Sequence, residues 1–265
     1  MRVDHPEPVR TGAAVGDMTA VWGVPVLTPP TARYDGHPSG RMGNVEMTLP
    51  GSLTVDATGR RFVNEALNYH DLNRAFGAIG SSAFLVFDRA YLDRYPVAGA
   101  TSPQPWMIQA DSLGELARAA GIGPALVATV EEFNAGARRG EDPVFGRGRS
   151  PQDRHLGDPA ITPNPCLAPV ERPPFFAVPV HAGVLGTAGG LATDADGRVV
   201  DHDGLPIPGL YAAGNCAATL FRDTYPGGGA TLGSAVVRAY RAGRHLARHP
   251  GELARSVDGQ VASGG

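Results

Sequence analysis

The sequence predicts an α/β chain, and three observations carry that prediction. Short apolar runs, "SAFLVFD", "PFFAVPV" and "IPGLYAAG", read as strands, the last buried on both sides if it lies in a parallel sheet. Two segments, "GSLTVDATGRRFVNEA" and "GGLATDADGRVVD", alternate around turns at Ala57 to Gly59 and Asp194 to Gly197, which suggests hairpins. Between and after them lie helical patterns with recognisable ends.

In chain order, "TGAAVGDMTAVWGVPVLTPP" reads as the end of a small-residue helix passing into a short strand, closed by Pro29 and Pro30. "HDLNRAFGAI" is expected to be helical. "DSLGELARAAG" starts with a capping box from Ser112 to Glu115 and stops at Gly121, and "GPALVATVEEFNAGARRG" follows with Pro124 in its first turn. From Gly140 to Pro174 the chain is rich in Gly, Pro, Asp and Arg, an ordered but irregular crossing. The last helix is expected from about Ala230 to Ala247. Leu232, Ala235, Val236, Ala239, Gly243 and Leu246 recur there as a small-residue face, with Arg238, Arg241, Arg244 and Arg248 on solvated faces.

Composition narrows the function classes. With 265 residues the chain holds one large domain or two modest ones, and its net charge of −3 argues against a nucleic-acid groove or a polybasic membrane patch. The 36 glycines and 24 prolines fit a loop-rich enzyme with many short connections. Cys166 and Cys216 have neither metal-ligand spacing nor a CxxC arrangement, so a reduced cytoplasmic setting is expected. No apolar run is long enough for a membrane span, no signal peptide is expected in "MRVDHPEPVRTG", and "SVDGQVASGG" reads as a frayed tail.

The stretch "TYPGGGATLG", residues 224 to 233, runs three glycines into a helix start. It fails as a dinucleotide fingerprint, which needs GxGxxG in a tight strand-to-helix turn and an acidic residue ending the next strand. The "GTAGG" stretch at 186 to 190 precedes a strand, which is the wrong context for a phosphate cradle. What remains is a helix N-terminus whose N–H groups near Thr231 to Ser234 favour partial negative charge, such as the N1/O2 edge of a reduced flavin. An ordinary glycine-rich turn is the plain alternative.

Five blocks come in one order and spacing: "GSLTVDATGRRFVNEALNYHD", "EEFNAGARRGEDPVFGRG", "GDPAITPNPCLAPVERPPFFAVPV", "LGTAGGLATDADGRVVDHDGLPIPGLYAAGN" and "TYPGGGATLGSA". From about residue 11 to 247 the chain resembles the FAD-dependent fumarate reductase / 3-ketosteroid dehydrogenase flavoproteins, with the closer likeness to the 3-ketosteroid Δ1-dehydrogenase-like branch. The resemblance implies a two-domain flavoprotein in which a substrate cap is inserted into the FAD domain. The GxGxxG βαβ unit of that family, and its first catalytic tyrosine, have no counterpart in this sequence. The chain therefore corresponds to the last half of the family's fold. Residues 1–30 would be a remnant of the FAD domain, 31–185 the cap, 186–250 the C-terminal FAD segment and 251–265 a flexible tail.

The resemblance also implies a site. Gly214 and Asn215 would lie beside the flavin ribityl chain, Asn215 standing where many relatives have a carboxylate. Thr187, Gly189 and Gly190 would lie against the ring, and Thr231, Leu232 and Gly233 would bring the helix start, with its backbone N–H groups, to N1/O2. Fumarate reductases carry an arginine in the loop that here holds Tyr225, and a histidine where Gly186 stands, both to grip a dicarboxylate. A neutral tyrosine suits a ketone oxygen instead, with the Gly229 N–H as second donor to the developing enolate. Tyr69 in "NEALNYHD" is placed like the family's α-proton base, with His70 as the rival. Packing or capping is the plain alternative for any tyrosine.

His181, Arg222 and Asp223 read as rim residues, Cys216 as a small buried residue and Arg147 as a surface ion pair. The expected function is FAD-dependent desaturation of a cyclic or steroid-like ketone by α-proton abstraction and β-hydride transfer. Two alternatives stay open: enone reduction by the same residues, and a non-catalytic fragment or subunit needing a separate N-terminal FAD-binding polypeptide.

Overall fold

The computed structural model describes residues 12–80, 83–222 and 224–251. Expectations for the first eleven residues, for Asp223 and for the tail from residue 252 lie outside the described residues. The strands are β1 (Val21–Leu27), β2 (Arg33–Tyr34), β3 (His37–Pro38), β4 (Arg41–Met42), β5 (Ser52–Asp56), β6 (Ala83–Asp88), β7 (Ile108–Ala110), β8 (Phe175–Thr187), β9 (Arg198–Val200) and β10 (Pro206–Tyr211). The helices are α1 (Asn44–Thr48), α2 (Tyr69–Ile79), α3 (Arg89–Arg94), α4 (Leu113–Ala120), α5 (Leu126–Ala137), α6 (Pro151–Arg154) and α7 (Ala230–Arg248). They form two compact units, Gly23–Gly183 and the described residues outside it, with β1 and β8 carrying the chain from one to the other.

The Gly23–Gly183 unit is built on a sheet of order β4-β1-β8-β6-β5, with β7 also on β8. β6 is antiparallel to both β5 and β8, pairing Leu85 with Thr54 and Val178. All six β6 residues are buried, because helices cover both faces. Strand alternation divides them: Leu85 and Phe87 join Leu72 and Phe76 of α2 and Tyr91 of α3 on one side. Phe84 and Val86 face Leu116 of α4 and Leu126, Val130 and Phe133 of α5 on the other.

Local chemistry ends these elements much as the sequence suggests. Ser112 Oγ accepts from the Glu115 N–H (3.3 Å) and donates to its carboxylate (2.8 Å), and Gly121 closes α4 at φ 67°. Asp88 caps α3 and accepts the N–H groups of Glu171 and Arg172 at 2.7 Å each, tying the irregular crossing back to β6. The turn after β5 is present, but its returning arm is a single bridge, Val55 to Arg61. β5 finds its partner in β6 instead, where its apolar residues meet apolar neighbours.

The irregular crossing is held by a buried ionic cluster, which overturns the surface role expected for Arg147. That residue is 1% exposed, and its guanidinium donates to the carbonyls of Ser52 (2.8 Å), Thr48 (3.0 Å) and Leu49 (2.9 Å). It also lies 3.4 Å from Glu65, which Arg61 grips through two nitrogens at 2.9 and 2.6 Å. Arg61 continues to Asp142 at 3.1 and 2.8 Å, sandwiched between the rings of Phe133 and Phe145. Burial alone would raise the Glu65 and Asp142 pKa values, yet the arginines outweigh it and hold both carboxyls below their usual range.

The other unit differs more from expectation. Residues 12–17 are not helical. Ala13 and Val15 form antiparallel bridges to Asp201 and Leu191, and Gly16 passes so close to Ala218 that a Cβ there would meet its methyl at 2.6 Å. β10 is half-buried rather than enclosed, and among the described strands it pairs with β9 alone.

Helix α7 packs by a face other than the expected one. Arg238 (8% exposed) and Ala242 are buried against the turn at Gly197, and Arg238 donates to the Ala218 carbonyl at 2.9 Å. Leu232 and Val236 of the expected face are exposed. An arginine stem covers apolar surface while its head finds a carbonyl, so Arg238 outcompetes the small residues for this position. Among the described residues no helix is long and apolar enough to cross a membrane.

Replacing Arg147 with Met should lower the unfolding free energy of this protein by about 3–5 kcal/mol in denaturant titrations, because the Glu65 charge loses one of its two partners. Since the Glu65 and Asp142 carboxyls are held below their unfolded range, their stabilisation is complete above about pH 5 and is lost on acidification below about pH 4. Thermal melts between pH 7 and 3 should show that loss, and Glu65→Gln should diminish it.

Candidate active site

The start of α7 forms an open, glycine-lined surface. Gly229 precedes the helix at φ 92°, a conformation that favours glycine. Ala230 N–H donates to the Gly227 carbonyl (3.2 Å), and Gly233 N–H donates to the Gly229 carbonyl (2.7 Å). Helix geometry leaves the N–H groups of Thr231 and Leu232 without intrahelical acceptors, at the end where the dipole favours negative charge. Gly233 therefore contributes bare surface rather than a donor. A Cβ built at Gly228, Gly229 or Gly233 would meet nothing within 4 Å.

Thr187, Gly214, Asn215 and Thr231 line one narrow crevice with Trp22 and Arg238. The Thr187 hydroxyl lies 3.4 Å from the Asn215 carbonyl, and the Asn215 amide sits beside Gly186, where a Cβ would meet it at 2.7 Å. Gly189 and Gly190 are needed by the protein's own backbone. A Cβ would strike the Asp17 carbonyl at 2.5 Å in one case and the Cys216 carbonyl at 2.5 Å in the other. With helix-start donors, a glycine-bare surface and the Asn215 and Thr187 polar groups in one unit, these residues fit the polar edge of a flavin. Cys216 is exposed rather than buried, its thiol directed to the Ala213 carbonyl at 2.8 Å.

Tyr225 belongs to the same unit, and its ring is held by aromatic packing. Trp22, 4% exposed, lies with its ring centroid 4.9 Å from that of Tyr225 and 6.3 Å from that of Phe221. Between the two loop aromatics the chain turns through Arg222, an exposed residue with φ 55°. The sequence pattern singled out Tyr225 but not Trp22, whose contact joins residues about two hundred positions apart. His181 is exposed.

Tyr69 lies in the Gly23–Gly183 unit, as the first residue of α2. Asn68 caps that helix by accepting the Asp71 N–H at 3.0 Å. Two neighbours on α2 anchor it to the crossing strands. The His70 ring nitrogen Nδ1 accepts the Gly23 N–H (3.3 Å), and the Asn73 side-chain oxygen accepts the Gly183 N–H (3.1 Å). Gly23 leaves room for Asn73, since a Cβ there would meet the amide at 2.3 Å. His70 is thus engaged in holding β1, which weakens it as rival base. Asn73 was not visible in the sequence as a functional residue, because its role depends on a strand more than a hundred residues away.

The model of the FAD binding domain family matches residues 4–232. The chain belongs to that family. It is 41% identical to 4-oxocyclohexanecarboxylate 2-dehydrogenase of Sinomonas cyclohexanicum, over 96% of this chain and 46% of that protein. It is also 41% identical to 3-oxosteroid 1-dehydrogenase of Mycobacterium tuberculosis, over 92% of this chain and 46% of the other. Among solved structures it is similar to 3-ketosteroid delta1-dehydrogenase from Sterolibacterium denitrificans in complex with 1,4-androstadiene-3,17-dione. That match has a TM-score of 0.84 and 36% identity, covering 91% of this chain and 45% of that one. This FAD binding domain chain spans about half the length of the curated relatives it matches.

Trp22→Ala should destabilise the protein by about 3–5 kcal/mol, as for other large buried aromatics, and should weaken the near-ultraviolet circular dichroism of the aromatic cluster. Trp22→Phe keeps a ring against Tyr225 and should retain most of both. Equal losses in the two variants would argue against a packing role for this contact.

Proposed function

We propose that this chain is the cap and C-terminal flavin-binding portion of an FAD-dependent enzyme that desaturates a cyclic or steroid-like ketone. The observation that carries the reading is Tyr225, a neutral phenol packed on Trp22 in a loop that leads into the glycine-bare start of α7. The relatives named above, 4-oxocyclohexanecarboxylate 2-dehydrogenase and 3-oxosteroid 1-dehydrogenase, support a ketone rather than a dicarboxylate. In this reading residues 31–185 are the cap, and residues 1–30 and 186–250 are pieces of the FAD domain. The remaining FAD-binding half corresponds to the part of the relatives that this chain does not span.

Thr187, Gly189, Gly190, Gly214, Asn215, Thr231, Leu232 and Gly233 would hold the flavin. When bound, FAD supplies the acceptor for the hydride that leaves the substrate's β carbon. The Tyr225 hydroxyl donates a hydrogen bond to the ketone oxygen, and the Gly229 N–H adds a second. Together they stabilise negative charge that develops on that oxygen. Tyr69 accepts the proton from the α carbon, at a helix start where the dipole favours an anion. Loss of that proton together with the β hydride leaves a carbon–carbon double bond conjugated to the ketone.

The first test is the visible spectrum of the purified chain after incubation with FAD and gel filtration. A retained flavin band would show binding without the other half; a colourless protein would show that the half is required. In the flavin-loaded system, Tyr225→Phe should cut ketone turnover by about two orders of magnitude while the flavin band persists. Unchanged turnover would remove Tyr225 from the mechanism. Fumarate should not reoxidise the reduced flavin, because Tyr225 and Gly186 offer no cation to its carboxylates, and steady reoxidation would overturn the ketone reading.

A further inference from the structure

The C-terminal end of α7 carries two histidines one helical turn apart, His245 and His249, with their rings stacked. The ring centroids are 4.3 Å apart and the planes 23° from parallel. Along the helix axis the pair lies roughly 20–25 Å from Thr231, at about 1.5 Å per residue, so it stands apart from the helix start proposed for the flavin. Each ring is oriented through its Nδ1 atom. His249 Nδ1 lies 3.0 Å from the His245 carbonyl, and His245 Nδ1 lies 2.8 Å from the Tyr211 hydroxyl of β10. A carbonyl can only accept, so the His249 hydrogen is on Nδ1, and the neutral ring keeps its lone pair on Nε2. The Tyr211 oxygen can accept from His245 Nδ1 in the same way, which puts that lone pair on Nε2 as well.

Histidines in a last turn also suit the helix dipole as imidazolium ions. Two imidazolium rings at this separation would set like charges against each other, so the dipole alone does not account for a stacked pair. Imidazoles at i and i+4 of one helix face, each fixed through Nδ1, are instead a ligand pair for a borderline divalent metal. The neighbouring cations do not block it. Arg241, one turn earlier, is engaged by Asp196 at 3.0 Å, Arg244 lies over the Tyr240 ring at 5.6 Å from its centroid, and Arg248 is exposed.

We propose that His245 and His249 form a two-histidine site for a borderline divalent transition ion such as Zn²⁺, with Tyr211 orienting the first ligand. Among the described residues no group of three or more histidine, cysteine or acidic side chains gathers, so the ion keeps open positions that water completes. Bound metal fastens the last turn of α7 to β10 through the Tyr211–His245 link. The proposal depends on neither the flavin nor the ketone.

The test is calorimetric titration of Zn²⁺ into the full chain, untagged and stripped of metal with a chelator. The wild type should bind one ion saturably, and His245→Ala and His249→Ala should each weaken binding at least tenfold. Far-ultraviolet circular dichroism of both variants should match the wild type, since alanine is the strongest helix former. Tyr211→Phe keeps both ligands and the ring and should weaken binding about tenfold, as loss of an orienting partner does. Zn²⁺ should raise the melting temperature of the wild type and leave that of the double histidine variant unchanged. Mg²⁺, which takes oxygen ligands, should give no binding heat. Absence of saturable Zn²⁺ binding would overturn the proposal. So would wild-type affinity in the double variant, which would place the ion on others of the chain's eight histidines.

Discussion

The buried guanidinium of Arg147 is the constraint on which the Gly23–Gly183 unit depends. It satisfies three carbonyls, those of Thr48 and Leu49 at the end of α1 and that of Ser52 at the start of β5. Its own charge is compensated by Glu65, which also accepts the Thr54 N–H at 3.0 Å, and through Arg61 by Asp142. Asp142 in turn organises the turn that presents Arg147, accepting the N–H groups of Val144, Phe145 and Arg147. The loop is therefore ordered by the side chain it delivers. Such a cluster contributes less to net stability than a well-packed apolar core of equal volume, because each ion had to be desolvated. What it supplies is a single solution for an irregular path rich in glycine and proline.

The same economy of backbone appears where the chain passes between its units. Gly23 and Gly183 carry no side chains, and α2 closes on them through His70 and Asn73. A larger residue at Gly23 would displace Asn73, and a larger one at Gly183 would meet Val26 at 2.5 Å. Tyr69 is fixed by this arrangement at one remove, since it opens the helix that both neighbours anchor. A residue with a proposed chemical role thus inherits its position from two residues with none.

Much of the fold was legible because its signals are local. The apolar runs of β6 and β8, the Ser112–Glu115 box and the Gly121 stop each depend on neighbours within a few positions. The errors fall where distant contacts decide. Arg147 in "FGRGR" looks like a solvated arginine until the carbonyls of β5 arrive almost a hundred residues away. Residues 12–17 have helical composition, yet bridges to Leu191 and Asp201 extend them. On α7 the apolar spacing was real, but periodicity could not show that the face carrying Arg238 and Ala242 packs inward. The glycine-rich loop and Tyr225 stood out in the sequence; Trp22, which packs on Tyr225, and Asn73, which anchors α2, did not.

The loop that precedes α7 is shaped by the packing of its aromatic residues on Trp22. A cation in place of Tyr225 would need solvent or counter-charge around it, whereas a phenol can pack against an indole, as the Tyr225 and Trp22 rings do at 58° between planes. Beside these rings the loop is exposed and polar at Arg222 and Thr224, and after Pro226 three glycines leave bare backbone. The polar groups of this unit near the helix start include the Thr187 hydroxyl and the Asn215 amide as well as the Tyr225 hydroxyl. In the reading proposed above, a ring ketone would meet the Tyr225 hydroxyl where a dicarboxylate would need a cation. One side chain thereby joins the packing of the loop on Trp22 to the role proposed for it toward a ketone.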